Sequence, residues 1–137
     1  GGTQPPSGGS LSEALDTNVS LSTGGDADWF NQAVTSYLDS DAAQSGVISH
    51  NQESWMQATV NGGEISFYWK VSSEVGYDSL EFYIDGSLQD GISGIADWQQ
   101  VSYSLPSGTY ELKWRYVKDW SVSEGDDAGW VDALVVN

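Results

Sequence analysis

The chain has 137 residues, and 20 Asp and Glu against 4 Lys and Arg give a formal charge of −16, so it is sized for one domain and repels the phosphates of nucleic acid. No apolar run approaches the roughly 18 residues of a spanning helix, which leaves neither nucleic acid nor membrane among the expected partners. Zero Cys removes disulfides, thiolate metal sites and Cys nucleophiles together, and the single His50 removes any multi-histidine metal centre.

Residues 1–10 combine Gly, Ser and a Pro pair with no hydrophobic residue, the composition of a flexible linker. They are neither charged nor apolar enough for a signal peptide, so the chain reads as a trimmed module, residues 11–137, tethered within a larger protein. Seven Trp, seven Tyr and three Phe then supply a core. From Leu11 onward the pattern is strand after strand, with period-two alternation and Gly, Asp, Asn or Ser at the breaks. Weak strands are predicted at residues 19–22, 44–48 and 54–60. Along Ile65-Ser-Phe-Tyr-Trp-Lys-Val71, Ile65, Phe67, Trp69 and Val71 point one way and Tyr68 and Lys70 the other. Leu80, Phe82 and Ile84 repeat the alternation, and Asp85-Gly86 closes a tight turn after them. Strands at residues 101–105 and 110–116 flank Pro106-Ser-Gly108 and read as a second hairpin, and a last strand is predicted at residues 130–136. About eight strands predict an all-β fold: a two-sheet antiparallel β-sandwich of the jelly-roll kind.

Lys70, Lys113 and Arg115 share an outward parity with Tyr68, Glu81 and Tyr83, so one sheet surface is expected to set aromatic rings beside hydrogen-bonding charges. Sugar-binding surfaces combine rings that stack on pyranose faces with forked donors and carboxylates that fix hydroxyls; cross-strand ion pairs on a solvated sheet use the same residues. Trp29, Trp98 and Trp120 sit in polar, loop-like contexts, and Trp120 beside Lys118 is the leading ligand contact. Each is equally able to plug the end of a sandwich. Asp39, Asp41, Asp126, Asp127 and Asp132 cluster as hard oxygen donors, for which calcium is the natural ion and a structural role the natural one. The spacing is not that of an EF-hand.

Catalysis finds little support. No carboxylate pair stands out for glycoside hydrolysis, no Gly-x-Ser-x-Gly elbow accompanies His50, and phosphate-loop and dinucleotide fingerprints are absent.

Five phrases, Asp41-Ala-Ala-Gln-Ser-Gly46, Phe67-Tyr-Trp-Lys-Val-Ser-Ser73, Leu80-Glu-Phe-Tyr-Ile-Asp-Gly86, Leu112-Lys-Trp-Arg-Tyr116 and Asp127-Ala-Gly-Trp-Val-Asp132, resemble a concanavalin-like or MAM-like β-sandwich module of bacterial secreted proteins. The resemblance implies a non-catalytic accessory module, similar to carbohydrate-binding modules, with calcium held between loops near the termini. By it Asp41, Asp127 and Asp132 become the stronger calcium ligands. The chain lacks the cysteines of true MAM domains. The expectation is a secreted or cell-surface, monomeric carbohydrate-binding module that keeps an attached enzyme or adhesin at polysaccharide. A protein-interaction or spacer module with no sugar binding is the alternative, and a small jelly-roll lyase or hydrolase a distant third.

Overall fold

The computed structural model describes residues 10–120 and 125–137. In chain order they form α1 (Leu11–Ala14), β1 (Ser22–Gly25), β2 (Phe30–Gln32), β3 (Ala42–Gln44), β4 (Glu53–Ser72), β5 (Ser79–Ile84), β6 (Ser87–Ser93), β7 (Ile95–Val117) and β8 (Ala128–Val136). Every strand pairing is antiparallel.

The alternation that predicted four strands in residues 54–71 and 101–116 belongs to two. β4 runs 20 residues and β7 runs 23, side by side from Glu53↔Val117 to Ser72↔Ile95. Pro106-Ser-Gly108 is therefore not a hairpin loop. It is a bulge facing Gly62 and Gly63, where the register slips from Asn61↔Thr109 to Gly63↔Leu105 and both strands bend together. Glycine is required there by close approach, since a Cβ at Gly62 would lie 1.9 Å from the Pro106 carbonyl oxygen.

The bend turns one continuous ladder into two layers. The first half of β4 lies between β1 and the second half of β7, with β5 and β6 beyond. The second half of β4 lies between the first half of β7 and β8, with β3 and β2 beyond. Inward side chains of the two layers meet. The Phe67 ring is 4.8 Å from Phe82 and 5.4 Å from Trp114, and Leu80, Leu112, Met56, Ile65 and Val131 fill the rest. This is the all-β antiparallel sandwich that the alternation predicts.

Asp85 and Gly86 both take positive φ, 51° and 82°, the two-residue hairpin turn expected there. The weak strands fall elsewhere. β1 starts where the strand of residues 19–22 was to end, β3 covers residues 42–44 rather than 44–48, and the polar, exposed edge strand β6 has no counterpart in the pattern. Residues 11–14 form a single helical turn, capped by the Ser10 hydroxyl accepting the Glu13 N–H at 3.1 Å, instead of the start of a strand.

Candidate functional site

The outer face of the first layer collects four of the six residues expected on one surface, Glu81, Tyr83, Lys113 and Arg115. Across β4, β7 and β5 the register sets Trp55, Arg115 and Glu81 in one row, and Gln57, Lys113 and Tyr83 in the next. Arg115 is fixed between two carboxylates: Nε donates to Glu53 at 2.8 Å and Nη1 to Glu81 at 3.1 Å. The Tyr83 hydroxyl also donates to Glu81, and burial followed by that carboxylate pushes the phenol above its ordinary range, so it stays a donor. Trp55 lies flat across β1, because Gly24 has no Cβ; one built there would sit 2.4 Å from Trp55 Cζ2. Lys113 Nζ stands 5.0 Å from the Trp55 ring centre and forms no ion pair among the described residues. Trp55 escaped the sequence reading, although the parity of Met56, Ala58 and Val60 already turns it outward.

Tyr68 and Lys70 do not share this face. They follow the bend in β4 and so emerge on the outer side of the second layer, the opposite side of the sandwich. There Tyr68 meets Tyr37 in a stack with centroids 3.7 Å apart and planes at 13°. Trp98 stands 6.1 Å from Tyr37 at 60°, and Lys70 pairs with Asp97 at 3.5 Å. Tyr37, 46% exposed, sits in the polar segment between β2 and β3 and carries no periodic signal.

Two expected ligand residues are buried instead. Trp29 is 3% exposed and donates from Nε1 to the Ser54 carbonyl at 3.0 Å, closing the end of the core. The Lys118 side chain is fully buried, its ammonium 3.1 Å from Asp78 and 2.6 Å from Asp127. Burial opposes its charge, but Asp127 and Asp78 outweigh that and hold its pKa above the ordinary lysine value. Trp120 stands clear at 75% exposed. Val75, Tyr77 and Ile95 are exposed at the same end of the sandwich, where Asp119 N–H donates to Asp78 at 3.0 Å and a Cβ at Gly94 would touch Val75.

The five expected metal ligands also divide. Asp127 accepts from Tyr116 and Lys118 and is occupied by them, and Asp126, beside it, is anchored through its N–H to Ser72. They precede Asp132 by five and six residues, about 16–20 Å of extended chain. Asp39, Asp41 and Asp132 each act electrostatically on a residue the sequence reading missed, Asp16, although no three carboxylates of this group bring their oxygens within 4.8 Å of one another. Asp132 is fully buried; its Oδ2 accepts the Tyr37 and Leu38 N–H groups at 2.9 and 2.8 Å, and Asp16 shares a hydrogen bond with it. Loss of solvation and then Asp132, with Asp39 and Asp41 farther off, push Asp16 up to about 7. Burial raises Asp41 and Asp132 too. Asp41 Oδ1 is buried with no hydrogen-bond partner, while Oδ2 accepts from Asn31 at 3.3 Å. Crowded carboxylates and a buried, unpartnered carboxylate oxygen suit a hard divalent cation. Glu74, Asp78 and Asp119 bring carboxylate oxygens within 4.8 Å of one another at the far end, but there Lys118 already supplies positive charge to Asp78.

Among the described residues no helix is long and apolar enough to cross a membrane. No protein-family model matches the sequence, and no curated protein sequence matches it. Solved structures do share its shape. A secreted serine protease from Vibrio cholerae, VesC, aligns with a TM-score of 0.71 at 13% identity over 93% of this chain, which spans only 26% of that chain. The K1 cleaved adhesin domain of Lys-gingipain from Porphyromonas gingivalis aligns at 0.61 and 13% identity, over 85% of this chain and 90% of that one. A carbohydrate-binding module of the β-sandwich superfamily aligns at 0.57 and 13% identity, over 96% and 62%. The chain thus has the fold of the β-sandwich modules found among carbohydrate-binding, adhesin and secreted protease domains.

Proposed function

We propose that the chain is a non-catalytic carbohydrate-binding module of a secreted protein and that the outer face of its first layer receives the glycan. The observation that carries this reading is Trp55, half-buried across Gly24 with the Lys113 ammonium over its ring and the fixed Arg115 fork beside it in the register. A ring platform accepts the C–H face of a pyranose, and preset donors select its hydroxyls. Joined to an enzyme or adhesin, even weak binding here raises the local concentration of polysaccharide.

Affinity electrophoresis through neutral and anionic polysaccharides tests it. The protein is expected to be retarded by one glycan class, and Trp55→Ala to weaken that retention at least tenfold while the protein stays folded at the assay temperature, as a melting curve checks. Retention by no glycan, or a Trp55→Ala protein that binds like the parent, overturns the reading.

Calcium belongs to the same proposal, held by Asp16, Asp39, Asp41 and Asp132, where it would pin the segment carrying Tyr37 and Leu38. With no cation bound, the native state keeps a proton on Asp16 up to about pH 7, whereas an unfolded aspartate loses it near pH 4. The native state then binds more protons between those limits, so its stability falls as pH rises through them. In EDTA the melting temperature is expected to be lower at pH 8 than at pH 5, and calcium at pH 8 to raise it. Asp16→Asn, at an exposed position whose φ of 57° Asn tolerates, should remove most of the calcium effect. A melting curve indifferent to calcium rejects the site.

A second reading is favoured by the loop end. Val75, Tyr77, Ile95 and Trp120 are 65–78% exposed, and aliphatic side chains suit a protein surface better than a sugar. A protein-interaction or spacer role follows from it, and it predicts no glycan retention.

A further inference from the structure

We propose that the opposite face of the sandwich holds a second glycan site, built on Tyr37, Tyr68 and Trp98 and suited to a neutral pyranose chain, which makes the module bivalent. The inference rests on the carbohydrate reading above and adds a site to it.

The geometry begins with Tyr37, which belongs to no strand. Its segment leaves the sheet after β2 and folds back so that the ring covers Tyr68, 3.7 Å away and nearly parallel. One face of Tyr37 is thus used up against Tyr68, while 46% of the residue remains in water. Trp98 stands beside it at 60°, so the two rings form the floor and wall of an angled corner. An aromatic corner of this kind offers a stacking surface and an edge contact to one sugar ring. Polar groups lie next to it. The Asp97 carboxylate is 88% exposed and the Lys70 ammonium 28%, and together they present an acceptor and a donor without net charge. Because Lys70 already has Asp97, and the protein carries −16 overall, an anionic sugar gains nothing here and a neutral one loses nothing.

The corner is held before any ligand arrives. Asp132 Oδ2 accepts both the Tyr37 and the Leu38 N–H, which fixes the backbone under the floor ring and lowers the ordering cost of binding. The two faces point away from each other across packed sheets about 10 Å apart, with ring thickness added on each side. One oligosaccharide does not span both, so occupancy of one leaves the other open, and a long polysaccharide is bridged to a second strand.

Calorimetric titration with the hexasaccharides of β-1,4-linked glucose, xylose, mannose and galactose, and with hexagalacturonate, decides the matter for the wild type, for Trp55→Ala, and for Tyr37→Ala combined with Trp98→Ala. Tyr37 is exposed and Trp98 half-buried, and melting temperature controls for folding. The expected result is that the Tyr37/Trp98 double variant loses one neutral-sugar site per chain and keeps the Trp55-dependent one. Wild-type protein, but neither variant, is expected to cross-link the parent polysaccharide into a precipitate. A single site per chain, abolished by Trp55→Ala and unchanged in the double variant, overturns the second site and leaves the first-face reading intact. Binding of none of the five sugars overturns both.

Discussion

Replacement of Lys118 by Met is expected to cost about 3–5 kcal/mol, the usual consequence of removing one partner from a buried ion pair. The ammonium sits within 3.1 Å of Asp78 and 2.6 Å of Asp127, and both it and Asp78 are wholly out of water. Methionine fills much of the volume but supplies no charge, so Asp78 and Asp127 lose their counter-charge at a spot where Glu74 and Asp119 add further carboxylates. The damage spreads along the end loops. Asp78 also accepts the Asp119 N–H, and the Asp119 carbonyl in turn accepts the Asn51 N–H at 2.7 Å. Urea unfolding measures the loss directly. Neutralising the carboxylates as well, in a Lys118→Met, Asp78→Asn, Asp127→Asn protein, should recover part of it. A single variant that loses less than about 1 kcal/mol means that the carboxylates find protons or water and the network is dispensable.

Phe67→Ala should cost a similar amount, about 3–5 kcal/mol, for a different reason. Phe67 has no exposed surface and is the ring at which the layers join, 5.6 Å from Trp69 in its own strand and 4.8 and 5.4 Å from Phe82 and Trp114 across the interior. Deleting it removes its apolar transfer energy and leaves a cavity that three large rings fill poorly. Ile95→Ala, at 78% exposed, should stay within about 0.5 kcal/mol and serves as the control. Near-equal losses for the two variants mean that the core repacks around the hole.

What the sequence revealed depended on whether the relevant physics is local. The period of two in residues 65–71 and 80–84 is local, and both stretches are strands with the faces expected. A Pro-Ser-Gly interruption is ambiguous by itself, because a turn and a bulge ask for the same residues; only Gly62 and Gly63 on the facing strand decide for a bulge. That bend also explains why parity misled. Tyr68 and Lys70 share their outward parity with Lys113 and Arg115, yet the half-strands that carry them belong to different layers, so equal parity became opposite faces. Trp29, Trp98 and Trp120 look alike in their neighbours, and their fates diverge through contacts distant in sequence, such as the Ser54 carbonyl that accepts from Trp29. Among the carboxylates, Asp39, Asp41 and Asp132 all bear on Asp16, which sits just beyond a one-turn helix that the pattern did not contain, while Asp127 is claimed by Lys118 and Tyr116.

The long strands have a mechanical consequence. In a sandwich made of separate strands, one sheet can detach while the other holds. Here β4 and β7 pass through both layers, paired from Glu53 to Ser72 with bulges but no chain break, so the layers share two strands and have no seam between separate sheets. A load applied at either face is passed to a ladder continuous with the other. Forced unfolding is therefore expected in one step that takes both layers together, rather than layer by layer.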